Sequence, residues 1–165
     1  MSAPPGTRER PREAPGHGPA DGPRRRLPPR PFVEAWLAAT VLSGLPSTVH
    51  ALATGADPWE ATMAAGAMLV GPDRSFAETF VAAGIVHATV SAFWATVLYR
   101  LRPRRHVLPW SVAAAAAIGL LDLRGIAPRV FPEVAALPFW PQMADHLAWG
   151  ACFGAALARR ERLGA

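Results

Sequence analysis

The chain has no lysine: all 17 of its basic residues are arginine. With Ala, Gly and Pro abundant, this follows the coding bias of a GC-rich bacterial genome and is no sign of phosphate recognition. Cysteine is nearly absent too. Cys152 stands alone in an apolar run, so no intramolecular disulfide can form and no zinc site can be built from thiolates; its place is that of a small buried side chain. Missing as well are the patterns of soluble catalysis. No Ser/His/Asp order, no paired glutamates and no glycine-rich phosphate loop occur, so the chain reads as non-enzymatic, with no catalytic residue, no metal site and no cofactor.

Long apolar segments are what the chain has instead. At 165 residues and 51% hydrophobic there is material for one small domain. From Phe76 to Tyr99 the only ionisable side chains are Glu78 and His87, and the run stops against Arg100, Arg102, Arg104 and Arg105. A helix needs roughly 20 mainly apolar residues to cross the hydrocarbon core, and arginines collect on the cytoplasmic side. This stretch therefore reads as a span whose C-terminal end is inside. His87 then lies roughly 16 Å down the helix at 1.5 Å per residue, near the bilayer middle. The net charge of +5 would suit nucleic acid in a soluble protein. Here most arginines sit in three patches beside apolar segments, so membrane orientation explains them and nucleic acid is not a partner.

Residues 1–31 are rich in Pro and Arg with almost nothing apolar, the composition of a disordered cytoplasmic tail. The membrane domain follows, residues 32–158, and then a basic cytoplasmic tail, residues 159–165. Its first span is Phe32 to Thr54. A secretory signal peptide cleaved after Ala51-Leu52-Ala53 is the rival reading, against which the apolar part is too long and holds Glu34. Gly44 and Pro46 should kink this helix, with the hydroxyls of Ser47 and Thr48 satisfying freed backbone groups. Asp57-Pro58-Trp59-Glu60 is a helix start, with Asp57 as N-cap, Pro58 at the first helical position and Glu60 closing a capping box. The helix it opens, to about Val70, is too short to cross and lies at the outer surface with Trp59 at headgroup level.

Val107 to about Ala127 reads as the third span. Arg124 snorkels outward near its end, while Asp122 continues the face of Ser111, Ala115 and Ile118 into the bundle. The fourth, Phe139 to Ala158, runs from Trp140 at the interface to Arg159, Arg160 and Arg162 inside. Four spans with both termini cytoplasmic satisfy every arginine patch, giving an all-α, four-helix transmembrane bundle of the bacterial inner (plasma) membrane.

Helical spacing then collects a polar seam. Ala83, His87, Ser91 and Ala95 recur every four residues on the second span, as do His146, Gly150, Gly154 and Ala158 on the fourth. Small residues at that spacing mark helix contact faces in membranes. The first span adds Ser43, Ser47, His50 and Thr54 along one stripe. Together His50, His87, Asp122, Asp145 and His146 form the candidate site, in the outer half of the bundle. His87 should bond to another span, with Asp145 and His146 the best candidates, because the Gly150-Gly154 face permits close approach.

At Ser43 to Leu52, SGLPSTVHAL, and Ala144 to Gly150, ADHLAWG, the chain resembles small uncharacterised integral membrane proteins of GC-rich bacteria. The resemblance runs from about Phe32 onward. It implies a membrane location and no activity. On balance the seam reads as structural, fixing helix register in a membrane protein that serves as a structural or accessory subunit. The alternative is proton or cation translocation through the seam, since histidine titrates near neutral pH, or metal or haem binding by its imidazoles. The partners are the lipid bilayer and either another membrane protein or further copies of the chain.

Overall fold

The computed structural model describes residues 30–163, with side chains as far as Arg160. Apart from Arg30 and Pro31, the tail expected to be disordered lies outside the described residues. Every element among the described residues is helical. The first apolar segment forms α1 (Arg30–Leu42) and α2 (Leu45–Thr54), parted by a turn at Ser43-Gly44. Pro46 is the cause. Lacking an N–H, it cannot donate to the carbonyl of Leu42 four residues back. The Gly44 carbonyl takes the hydroxyls of Thr48 at 2.8 Å and Ser47 at 3.3 Å, and α2 ends at Gly55, whose φ of +74° suits a residue without Cβ.

The short helix is α3 (Glu60–Val70). Its start departs from the expected capping box: Asp57 Oδ1 accepts the N–H of Trp59 at 2.9 Å, and no side chain caps the helix itself. Residues 57–60 close a turn of their own, with the Glu60 N–H on the Asp57 carbonyl. A complete box forms instead at the head of α4 (Phe76–Leu101), where Ser75 Oγ accepts the Glu78 N–H and Glu78 Oε2 accepts the Ser75 N–H. Glu78 thus belongs to the helix start. Trp59 packs edge-on against Phe76 and Phe80, which sets α3 beside that same end of α4.

After the arginine turn the chain reverses into α5 (Val107–Leu120), a π-helical stretch (Leu121–Ile126), α6 (Ala127–Val130), α7 (Pro132–Ala135) and α8 (Phe139–Leu163). The last helix continues through Arg159 and Arg160, where a separate tail was expected. Three stretches are long and apolar enough to cross a membrane: Arg30–Thr54, Phe76–Leu101 and Val107–Val130. That is the make-up of a multi-pass membrane protein. α8 matches them in length at 25 residues, but Gln142, Asp145 and His146 in its first half make it less apolar.

α8 is the hub, packed against α5, α1 and α2, while α4 packs on α1 and α3. Small residues set the closest approaches. A Cβ on Gly150 would stand 2.5 Å from Ala115 Cβ, and one on Gly154 would stand 2.9 Å from Leu108 Cα, so the glycine face of α8 is turned to α5 and not to the helix of His87. The small face of α4 meets α1 instead, where Ala95 lies buried with Ala35 and Ala39. Phe32 meets Tyr99 with ring centroids 5.2 Å apart, and Arg160 Nε donates to Glu34 Oε2 at 2.7 Å. The head of α1, the tail of α4 and the tail of α8 are thereby at one end, together with Arg100 to Arg105 and Arg159.

Candidate functional site

A helix broken in mid-span leaves carbonyls at the end of its first half and N–H groups at the start of its second, and lipid can satisfy neither. Two neighbouring helices supply what is missing. From α4, His87 Nε2 lies 2.8 Å from the Thr40 carbonyl and 3.3 Å from Ser43 Oγ. A carbonyl only accepts, so Nε2 carries the hydrogen. From α8, Asp145 Oδ1 accepts the Ser47 N–H at 2.9 Å. A donor thus meets the C-terminal, negative end of α1, and a carboxylate meets the N-terminal, positive end of α2, the arrangement the two half-helix dipoles favour.

A second pair lies alongside. His146 Nδ1 is 2.9 Å from the Gln142 carbonyl one turn back on α8, and Nε2 is 3.3 Å from Asp122 Oδ2. The carbonyl obliges Nδ1 to donate. The other nitrogen faces the carboxylate, a contact between two acceptors unless a proton is shared between them. Asp122 stands in the π-helical stretch, a distortion frequent at functional sites. Arg124, two residues on, is exposed and lies over the Phe139 ring at the head of α8, 4.2 Å from its centroid.

Between these groups and the arginine-rich end runs a chain of hydrogen bonds with one direction. Trp149 Nε1 donates to Ser91 Oγ at 2.8 Å, Ser91 and Thr40 hydroxyls are 2.6 Å apart, and Thr40 Oγ1 donates to the Trp36 carbonyl at 2.7 Å. The indole can only donate and the carbonyl can only accept, so the Ser91 hydroxyl must donate to Thr40. Three helices are tied by it.

The broken helix, α3, α4, α5 and α8 enclose a cavity of about 460 Å³. His87, Asp122, Asp145 and His146 all line it, and Trp94 and Trp149 form its floor. Of the five seam residues only His50 is elsewhere, exposed on α2 beyond the cavity. His87 finds its partner on the first helix, not at Asp145 or His146 as the spacing led one to expect, because the break at Gly44 turns a backbone carbonyl toward it. Thr40, Ser91, Gln142 and Trp149 were not in the expected set. Ser91, Gln142 and Trp149 each sit three or four residues from a member of it, and that spacing was the available signal; Thr40, ten residues from His50, carries no such signal. His146, with both ring nitrogens engaged, offers no free lone pair to haem or metal, and no group of three or more His, Cys, Asp or Glu among the described residues is placed to hold a metal ion. Compared with known proteins, the chain matches no family model, no curated protein and no solved structure.

Proposed function

We propose that this is a four-span protein of the bacterial inner membrane, with both termini cytoplasmic, whose outer-half cavity takes up a small cation in exchange for protons. The observation that carries the reading is the gathering of four ionisable side chains from three helices around one cavity at the break in a fourth. Ionisable groups at membrane depth are costly and mark ion pathways. Two carboxylates in one low-dielectric space make a cation and a proton competitors for the same negative charge. Discontinuous helices whose free ends face a midplane site are a recurrent way to build such a space. The directional Trp149–Ser91–Thr40 chain and the apolar core beneath it seal the inner side, so passage requires the helices to part there. In this reading α8 crosses as the fourth span, the arginine-rich end is cytoplasmic, and the protein catalyses no covalent reaction and needs no cofactor.

In the competing reading the same groups lock helix register in a structural or accessory subunit. Liposomes holding the purified full chain and a trapped pH dye separate the two. An inward gradient of tetraethylammonium, which carries no proton of its own, should drive proton efflux at least several-fold above protein-free liposomes. Asp122→Asn should remove it. Flux no greater than in protein-free liposomes for tetraethylammonium, sodium and potassium alike, from protein of intact helicity, would leave the structural reading.

A further inference from the structure

The cavity is closed above and below but not at one side. Toward the arginine-rich end Trp94, Trp149 and the buried Ala95, Leu98, Phe153 and Leu157 fill the bundle. At the opposite end α3 lies on α4 and reaches α7, bridging the heads of the helices. Between them α4 packs on α1 and α3 but has few contacts with either α2 or α5. His87 and Gly84 line the cavity and are exposed, and a Cβ on Gly84 would meet nothing within 4 Å. Both lie well inside α4, at a depth where the surroundings of a spanning helix are hydrocarbon. The side opening therefore faces the bilayer interior and not the water.

The walls of the cavity specify the occupant's head. Asp122 Oδ2 already faces His146 Nε2 at 3.3 Å. Asp145 is met by Ser47, whose N–H donates to Oδ1, and no arginine pairs with it among the described residues, so this carboxylate has charge left to offer. Two indoles line the floor, and aromatic faces attract organic cations, the more strongly the fewer waters intervene. A carboxylate above indoles is a site for an alkylammonium group. An anion would meet the Asp145 carboxylate, with Asp122 and the imidazoles of His87 and His146 beside it.

We infer that the cavity binds a single-chain amphiphilic ammonium compound admitted from the bilayer along the exposed side of α4 at Gly84, its charged head opposite Asp145 and its tail left in the lipid. This rests on the cation-exchange reading and names the class of cation.

The test uses the full chain in phosphatidylcholine nanodiscs and a hexadecyl-dimethylammonium amphiphile carrying a nitroxide on its head. In free bilayer that head stays at the interface, so saturable quenching of the deep tryptophans reports its arrival in the cavity. Wild type should show it, and an uncharged amphiphile with the same tail and nitroxide should not. Asp145→Asn keeps the oxygen that accepts from Ser47 while removing the charge, and should raise the half-saturation about tenfold, which is 1.4 kcal/mol. Gly84→Phe fills the side opening without touching a polar group, and should slow or abolish the quenching. Equal quenching by the uncharged amphiphile, or an unchanged half-saturation in Asp145→Asn, would overturn the assignment of an ammonium head. Full binding of a tail-less trimethylammonium nitroxide to Gly84→Phe, at wild-type affinity, would show that ligands come from water and overturn the lateral route. Proton efflux driven by tetraethylammonium in protein that fails every one of these tests would remove the ligand class and leave the exchange reading standing. Binding of the amphiphile without any flux would do the reverse.

Discussion

The two ends of the molecule are held together by different means. Toward the arginine-rich end the helices are regular, and glycine and alanine bring backbones close: Gly154 of α8 sits against Ser111 and Leu108, and Ala35 and Ala39 of α1 are fully buried beside Ala95 of α4. Toward the other end regularity fails at the Ser43-Gly44 turn, in the π-helical stretch and in three short helices. There Gly66 brings α3 against the Thr79 carbonyl of α4, but around the break the contacts are side chain to backbone or side chain to side chain, from His87, Asp145 and His146. In lipid there is no hydrophobic drive to bring helices together, so close packing must do it wherever the backbone satisfies itself. Where the backbone is broken, a neighbour has to complete its hydrogen bonds, and the residues that do so are chemically able to do more.

The contrast breaks most visibly if the close packing is spoiled. A side chain at Gly150 would drive its Cβ to 2.5 Å from Ala115 Cβ and 2.6 Å from the Ser111 carbonyl, and the backbone of α5 has no rotamer with which to yield. Gly150→Leu should cost about 3 kcal/mol or prevent assembly, the upper part of the range for overpacking. Reversible unfolding in mixed micelles measures it. Stability within error of wild type would mean that α5 and α8 are not held by this seam.

At the broken end the expected effect is smaller and depends on chemistry more than on volume. Asp145→Ala leaves the Ser47 N–H at the head of α2 without an acceptor, whereas Asp145→Asn keeps an oxygen there. The first should lose about 1–2 kcal/mol and the second less than half of that, since an unmet buried donor costs its desolvation while a replaced acceptor does not. The same unfolding measurement decides it. Equal losses in the two variants would show that the charge, not the cap, is what Asp145 contributes to the fold.

Much of this contrast was legible in the residues, and what was not has a physical reason. Spacing of three and four picked out the faces of His87, Asp122, Asp145 and His146, and the Gly44–Pro46 sequence located the broken helix. Which helix each face meets could not be read, because one stripe of small residues resembles another. The glycines of α8 were thus assigned to the helix of His87 and belong to α5. The π-helical stretch has no signature in Leu121 to Ile126, although Asp122 and Arg124 within it meet His146 and Phe139 of α8. The capping box was different. Ser75-Phe76-Ala77-Glu78 carries the required S-x-x-E spacing as plainly as any start in the chain, and Glu78 belongs to that start, not to the interior of the span.

The smallest effect sharpens the comparison furthest, because it concerns a polar contact that looks stronger than the one at Asp145. Arg160 Nε donates to Glu34 Oε2 at 2.7 Å, shorter than the 2.9 Å between Ser47 and Asp145. Both Arg160 and Glu34 side chains, however, are about half exposed, at 50% and 45%. Water solvates them when the pair opens, and two long side chains lose freedom when it closes, so exposed pairs of this kind contribute little. Glu34→Gln should therefore shift stability by less than about 0.5 kcal/mol, and 0.5 M salt should erase even that difference between the variant and wild type. A loss as large as that of Asp145→Ala, persisting in salt, would show that the tie between α1 and α8 at the arginine-rich end is structural. Hydrogen bonds would then be holding both ends, and close packing alone would no longer account for the regular one.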